Sequence, residues 1–148
     1  MITTISDFFE RDIKKLIEEV KSFRNQDNLW KVQGDVKNSA GNLALHIIGG
    51  TNHHIGAVLG KTGYMRDRDS EFSAKYIQKD VLITELEKLI LIVKSTLSAL
   101  NDDDLGKEHP RFFDKEGATI GYVLTQLLLH LNYHLGEVNY LRRILEPM

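Results

Sequence analysis

Proline occurs only at positions 110 and 147, so almost the whole chain is free of the residue that most strongly breaks helices. What fills that space is helical periodicity. From about Ser6 to Arg24, Phe9, Ile13, Leu16, Ile17, Val20 and Phe23 recur at steps of three and four, with polar residues on the other side. Ser6 reads as the N-cap, with Asp7 and Glu10 in the first turn where the helix dipole favours acids. "NQDNLWKVQGDVKNSAGN" then reads as a long connection.

A second helix is expected from Ser39 to Gly60, the latter a suitable C-terminal glycine. Gly49-Gly50 costs helix propensity in its middle, which implies close approach of a neighbouring backbone. "KTGYMRDRDSEFSAKYIQ" reads as a polar loop, and "KDVLITELEKLILIVKSTLSALN" as an amphipathic third helix stopping at the turn-rich "NDDDL". "GKEHPRFFDKEGA" reads as irregular, and a fourth helix is expected from Thr119 to about Leu145. No strand pattern and no internal repeat appears. The expected fold is all-α: one domain over 1–148, a four-helix bundle whose long connections leave the topology open.

Composition narrows the function. A net charge of −2 without a basic block lacks the electrostatic footprint of a nucleic-acid binder. The absence of cysteine removes disulfides, thiolate ligands and cysteine nucleophiles together. The opening "MITTISDFFERD" lacks the basic flank and apolar core of a signal peptide, and the apolar runs are too short to span a bilayer. The expectation is a cytoplasmic protein with no membrane or nucleic-acid partner and a small-molecule substrate.

The fourth helix carries the chemistry. At about 100° per residue, His130 and His134 lie one turn apart on one arc, with Val123, Gln126, Leu127, Glu137 and Leu141. A second arc of Leu124, Leu128, Leu131 and Leu135 is also apolar, so this helix is buried on more than one side or meets another subunit. Imidazoles on adjacent turns can converge on one divalent ion at about 2.0–2.1 Å each. Two ligands seldom suffice, and His46 in "NLALHIIGG" is the best third, sharing its arc with Asn42, Gly50 and His53. His53, about 10 Å further along the helix, is too distant for the same ion and reads as a pocket residue.

Each residue also has a plainer reading. A lone His46 is ordinarily a hydrogen-bonded core histidine. His53-His54 reads as a helix end meeting solvent, His109 beside Pro110 as surface, and Arg142-Arg143 as a complement to the dipole. Glu137 is either a solvated carboxylate or, from its arc, an acceptor supporting His134. Polar residues on the core faces of two helices, taken together, favour the metal.

"HLNYHLGEVNYLRRIL" resembles the last-helix signature of the DinB/YfiT-like family of metalloenzymes: His, three residues, His, then x-Gly-Gln/Glu-aliphatic and a Leu-Arg pair. "NLALHIIGG" resembles the second-helix segment that supplies that family's first histidine, and the likeness in helix order spans essentially the whole chain. The resemblance implies an up-down-down-up four-helix bundle and a homodimer. It also implies a divalent metal, nickel or zinc with manganese or iron as alternatives, on His46, His130 and His134. Characterised members include thiol-dependent isomerases and S-transferases. Glu137 stands where the family often has Gln.

Two function classes follow. In an enzyme, an open three-histidine site would activate water or a low-molecular-weight thiol, the latter supplying sulfur that the chain lacks. Glu137, Asn42 or His53 would orient a ligand or move a proton. S-transferase-like chemistry on a small electrophile is the leading expectation, and metal-dependent hydrolysis its neighbour. In the alternative, a non-catalytic metal-binding or interaction protein, the ion staples helices two and four. Coordination discriminates: a structural site is closed by four protein ligands, a catalytic one keeps a position open. A di-iron carboxylate site fits poorly, because no Glu stands three residues before any of these histidines.

Overall fold

A computed structural model describes residues 1–110 and 115–147 of the protein. The expected irregular stretch over 106–118 therefore falls partly outside the described residues, at 111–114. The order is α1 (Ile2–Ser22), a 3-10 turn (Gln26–Trp30), α2 (Ala40–Thr51), a π turn (Asn52–Ala57), α3 (Arg68–Ser73), α4 (Lys79–Ser98), a 3-10 turn (Asp102–Gly106) and α5 (Ile120–Leu145). The fold is all-helical, with the layout of a helical bundle. Among the described residues the sole extended pairing is the isolated bridge between Glu108 and Thr119. No described helix is long and apolar enough to cross a membrane.

The periodic residues do what their spacing requires. Phe9, Ile13, Leu16, Ile17 and Val20 of α1 are buried, and α1 packs on α4 and α5. Leu82, Leu86, Leu89 and Val93 of α4 meet them from the other side of one continuous core. Each such side chain contributes about 1.5–3 kcal/mol of burial, so this layer holds the bundle whatever happens at its polar sites.

The element ends differ from expectation where distant residues intervene. Helix α1 starts at Ile2, not Ser6, because the Asp102 carboxylate accepts the Ile2 N–H at 2.8 Å from a hundred residues away. Ser39 does cap α2, accepting the Asn42 N–H at 3.2 Å, and Thr119 caps α5, accepting the Tyr122 N–H at 3.1 Å. After Thr51 the chain widens into the π turn, and Lys61, at φ 54°, takes the left-handed conformation expected of Gly60. Gly60 serves another purpose: a Cβ there would lie 2.6 Å from Thr96 Oγ1 and 2.8 Å from the Gly56 carbonyl oxygen. The supposed polar loop 61–78 contains α3, capped by Asp67, which accepts the Ser70 N–H at 3.3 Å.

Candidate metal centre

Helices α2 and α5 pack together, bringing the middle of one against the middle of the other. His46 from α2 is 9% exposed; His130 and His134 from α5 are half-buried. His130 Nε2 lies 3.1 Å from His46 Nε2 and 2.9 Å from His134 Nε2. The candidate ligand atoms of all three lie within 4.8 Å of one another.

The outer nitrogens decide the tautomers. His46 Nδ1 is 3.0 Å from Glu71 Oε1, and His134 Nδ1 is 2.6 Å from Glu137 Oε1. A carboxylate only accepts, so each of these Nδ1 atoms carries the proton and each Nε2 presents a lone pair. Both lone pairs point at His130 Nε2, which has at most one proton to offer between them. Three nitrogens sharing one proton form a cluster that a divalent cation satisfies better than any protonation pattern does. Ligands at about 2.0–2.1 Å around a tetrahedral ion would stand somewhat further apart than the two short contacts and closer than the 4.8 Å that bounds the group.

Electrostatics act in the same direction. Burial, and then the neighbouring His134, His46 and Arg66, push the His130 imidazole down to about 4. Burial also holds His46 below the usual histidine range, although Glu71 opposes the shift. Both rings are therefore neutral at pH 7, the form in which histidine ligates a metal.

Glu71, the least expected member of the site, comes from α3 and is 5% exposed. Arg66 donates from Nε to its Oε2 at 2.8 Å and from Nη2 to its Oε1 at 2.9 Å, a bidentate clamp on the carboxylate that orients His46. Phe72, the next residue, packs its ring 4.8 Å from that of His46. This explains Gly49: a Cβ there would overlap the Glu71 carboxylate, so the group brought close is a side chain, not the expected backbone. Gly50 faces Arg66, whose Nη2 would lie 3.4 Å from an added Cβ. Neither Arg66 nor Glu71 was legible in "YMRDRDSEF", which carries no periodicity. The costly glycine pair was the one signal that something approaches α2 at that level.

The other expected residues separate. Glu137 is at His134, as its arc implied. Asn42, instead of facing the cluster, ties α3 to α2: its amide donates to the Glu71 and Ala74 carbonyls at 3.0 and 2.9 Å, and its oxygen accepts from Ser39 and Lys75. His53 does not line the cavity; His54 does, on the helix face that carries Ile47, Gly50 and Thr51 at ordinary helical spacing. His54 is therefore no solvent-facing helix end. His109 is not a surface residue either; it is 2% exposed, with Nε2 3.0 Å from the His54 carbonyl oxygen.

A cavity of about 270 Å³ opens beside the cluster. Its lining includes His46 and His130, the apolar Ile47, Leu127 and Tyr122, and the cationic Arg66, Arg68 and Lys115. Two of the three histidines, His46 and His130, thus border the cavity, and carboxylates hold the outer nitrogens of His46 and His134.

A family model described as "Protein of unknown function (DUF1572)" matches residues 2–147. No curated protein matches the chain.

Proposed function

The chain belongs to the DUF1572 family, and we propose that it is a divalent-metal-dependent enzyme of S-transferase type, joining a low-molecular-weight thiol to a small electrophile. The observation that carries this reading is the convergence of three Nε2 atoms beside a cavity, two of them fixed as lone-pair donors by Glu71 and Glu137. His46, His130 and His134 are the ligands, and carboxylates on the outer nitrogens set their orientation and basicity. A divalent ion held there would supply a Lewis acid that lowers the pKa of a bound water or thiol.

The remaining roles belong to the chain. Ile47 and Leu127 exclude water from the space in front of the histidines, and Gln126 offers an amide to orient a ligand. Glu137, partly exposed beside His134, is the group placed to hold a proton near the centre. Asn42 and His53 have no catalytic part in this reading. With no cysteine in the chain, the attacking sulfur comes from a free thiol. Nickel or zinc suits an all-imidazole site better than magnesium or calcium does.

The resemblance to the DinB/YfiT-like family supports the same reading and extends it to a single up-down-down-up bundle that acts as a cytoplasmic homodimer. A stripe on α5 supports the dimer: Leu129, Tyr133, Tyr140 and Ile144, at helical spacing, are all more than half exposed.

The test is the metal content of untagged protein beside His46→Ala and His130→Ala, followed by thiol-transfer assays with the loaded form. About one divalent ion per chain, lost in both variants, is the result expected of a three-ligand centre. No ion bound, even after incubation with nickel, zinc or manganese, overturns the proposal. A loaded protein that transfers no thiol to any of a broad panel of electrophiles reduces the site to a staple between α2 and α5.

A further inference from the structure

The chain carries a net charge of −2, yet three cations line the cavity beside the histidines, and no carboxylate does among the described residues. The three are not equivalent. Arg66 spends Nε and Nη2 on Glu71, and that pair is neutral as a unit. Arg68 and Lys115 form no ion pair among the described residues; each rests on an aromatic ring, Arg68 5.8 Å from the centroid of Phe72 and Lys115 4.4 Å from that of Tyr122. An aromatic face steadies a cation without neutralising it, so the N–H groups keep their capacity for an anion. The two come from different elements, α3 and the segment before α5, and both line this cavity.

We infer that Arg68 and Lys115 form a carboxylate-binding subsite, and that the molecule occupying the cavity is a small organic acid. Its carboxylate sits on the two cations, its apolar body on Ile47 and Leu127, and its reacting end toward His46 and His130. The size of the cavity and its apolar surface favour an organic anion over inorganic phosphate. This rests on the reading of the histidine cluster as a reaction centre and names the substrate class for it. The carboxylate belongs either to the electrophile or to the thiol.

Benzoate and its neutral isostere benzamide are the probes, titrated calorimetrically into the full chain at about pH 8, where histidine is neutral, with and without zinc. Benzoate is expected to bind at least about tenfold more tightly than benzamide in both forms, as a charge-assisted contact requires. Arg68→Ala and Lys115→Ala should each weaken benzoate about three- to tenfold, leaving benzamide unchanged, with Arg68→Lys recovering part of the loss. Both side chains are exposed, so the variants keep the fold. Equal binding of the two probes, indifference to both substitutions, or benzoate binding only in the presence of zinc overturns the subsite. Failure of zinc to bind while the preference for benzoate persists overturns the metal centre instead and leaves the anion site standing. With the subsite established, 3-mercaptopropionate identifies the source. Displacement of benzoate from the zinc-loaded protein assigns the carboxylate to the thiol, and simultaneous binding assigns it to the electrophile.

Discussion

Glu71 Oε1 lies 3.0 Å from His46 Nδ1, held there by an arginine five residues before it in the chain. The carboxylate makes His46 a lone-pair donor toward His130, and the guanidinium clamps the carboxylate through two hydrogen bonds. Glu71→Gln should therefore lower zinc or nickel affinity by about ten- to a hundredfold, the usual effect of removing a carboxylate behind a metal-bound histidine. Competition with a chromophoric chelator measures it. Removing one partner of a buried pair also costs about 3–5 kcal/mol of stability, so Glu71→Ala should show a clear fall in the urea midpoint.

The glycine pair gives a contrast within one helix turn. Gly49→Ala drives a methyl into the Glu71 carboxylate and should reduce metal affinity as Glu71→Gln does. Gly50→Ala meets only the end of the Arg66 side chain at 3.4 Å, and its neighbour can yield. It should keep the metal and gain up to about 1 kcal/mol from helix propensity. Equal metal affinity in the two variants would contradict the role given to Glu71.

Acid should weaken the metal-free protein. His130 titrates at about 4 in the fold and His46 is also depressed, against an unfolded value of about 6.5. Between these values the unfolded chain binds more protons, so stability is full above about pH 6.5 and falls as pH drops toward 4. Urea midpoints across that range should decline for the wild type and decline less for His130→Gln.

Metal loading should stabilise through linkage, because three converging ligands exist only in the folded chain. Free zinc at a thousand times its dissociation constant adds about 4 kcal/mol. The expected rise in melting temperature should disappear with chelator, and in His46→Ala and His130→Ala. As pH falls toward 4 the metal should be released, since protons compete for the same nitrogens.

If α5 pairs two copies, the exposed stripe is the contact. Leu129→Glu with Tyr140→Glu places charges on residues that are 62% and 65% exposed, so the fold survives while the interface does not. Sedimentation should show a dimer for the wild type and a monomer for the double variant. A monomeric wild type at high concentration would remove the homodimer.

The long helices, the starts of α2 and α5 near Ser39 and Thr119, and the common face of His130, His134 and Glu137 were legible in the chain because each depends on residues within one or two turns. His46 could be selected as their partner because few residues on a core face offer a lone pair. Other features could not be read. Asp102 caps α1 across a hundred residues, and Arg66 and Glu71 reach His46 from a stretch with no periodicity. His54, not His53, lines the cavity, and His109 is buried against the His54 carbonyl by a connection fifty-five residues away. Hydrophobic period is a local property, written along the chain by a regular rise and rotation. The partner of a buried polar group is a non-local one, chosen by whichever distant segment the packing brings within three ångströms.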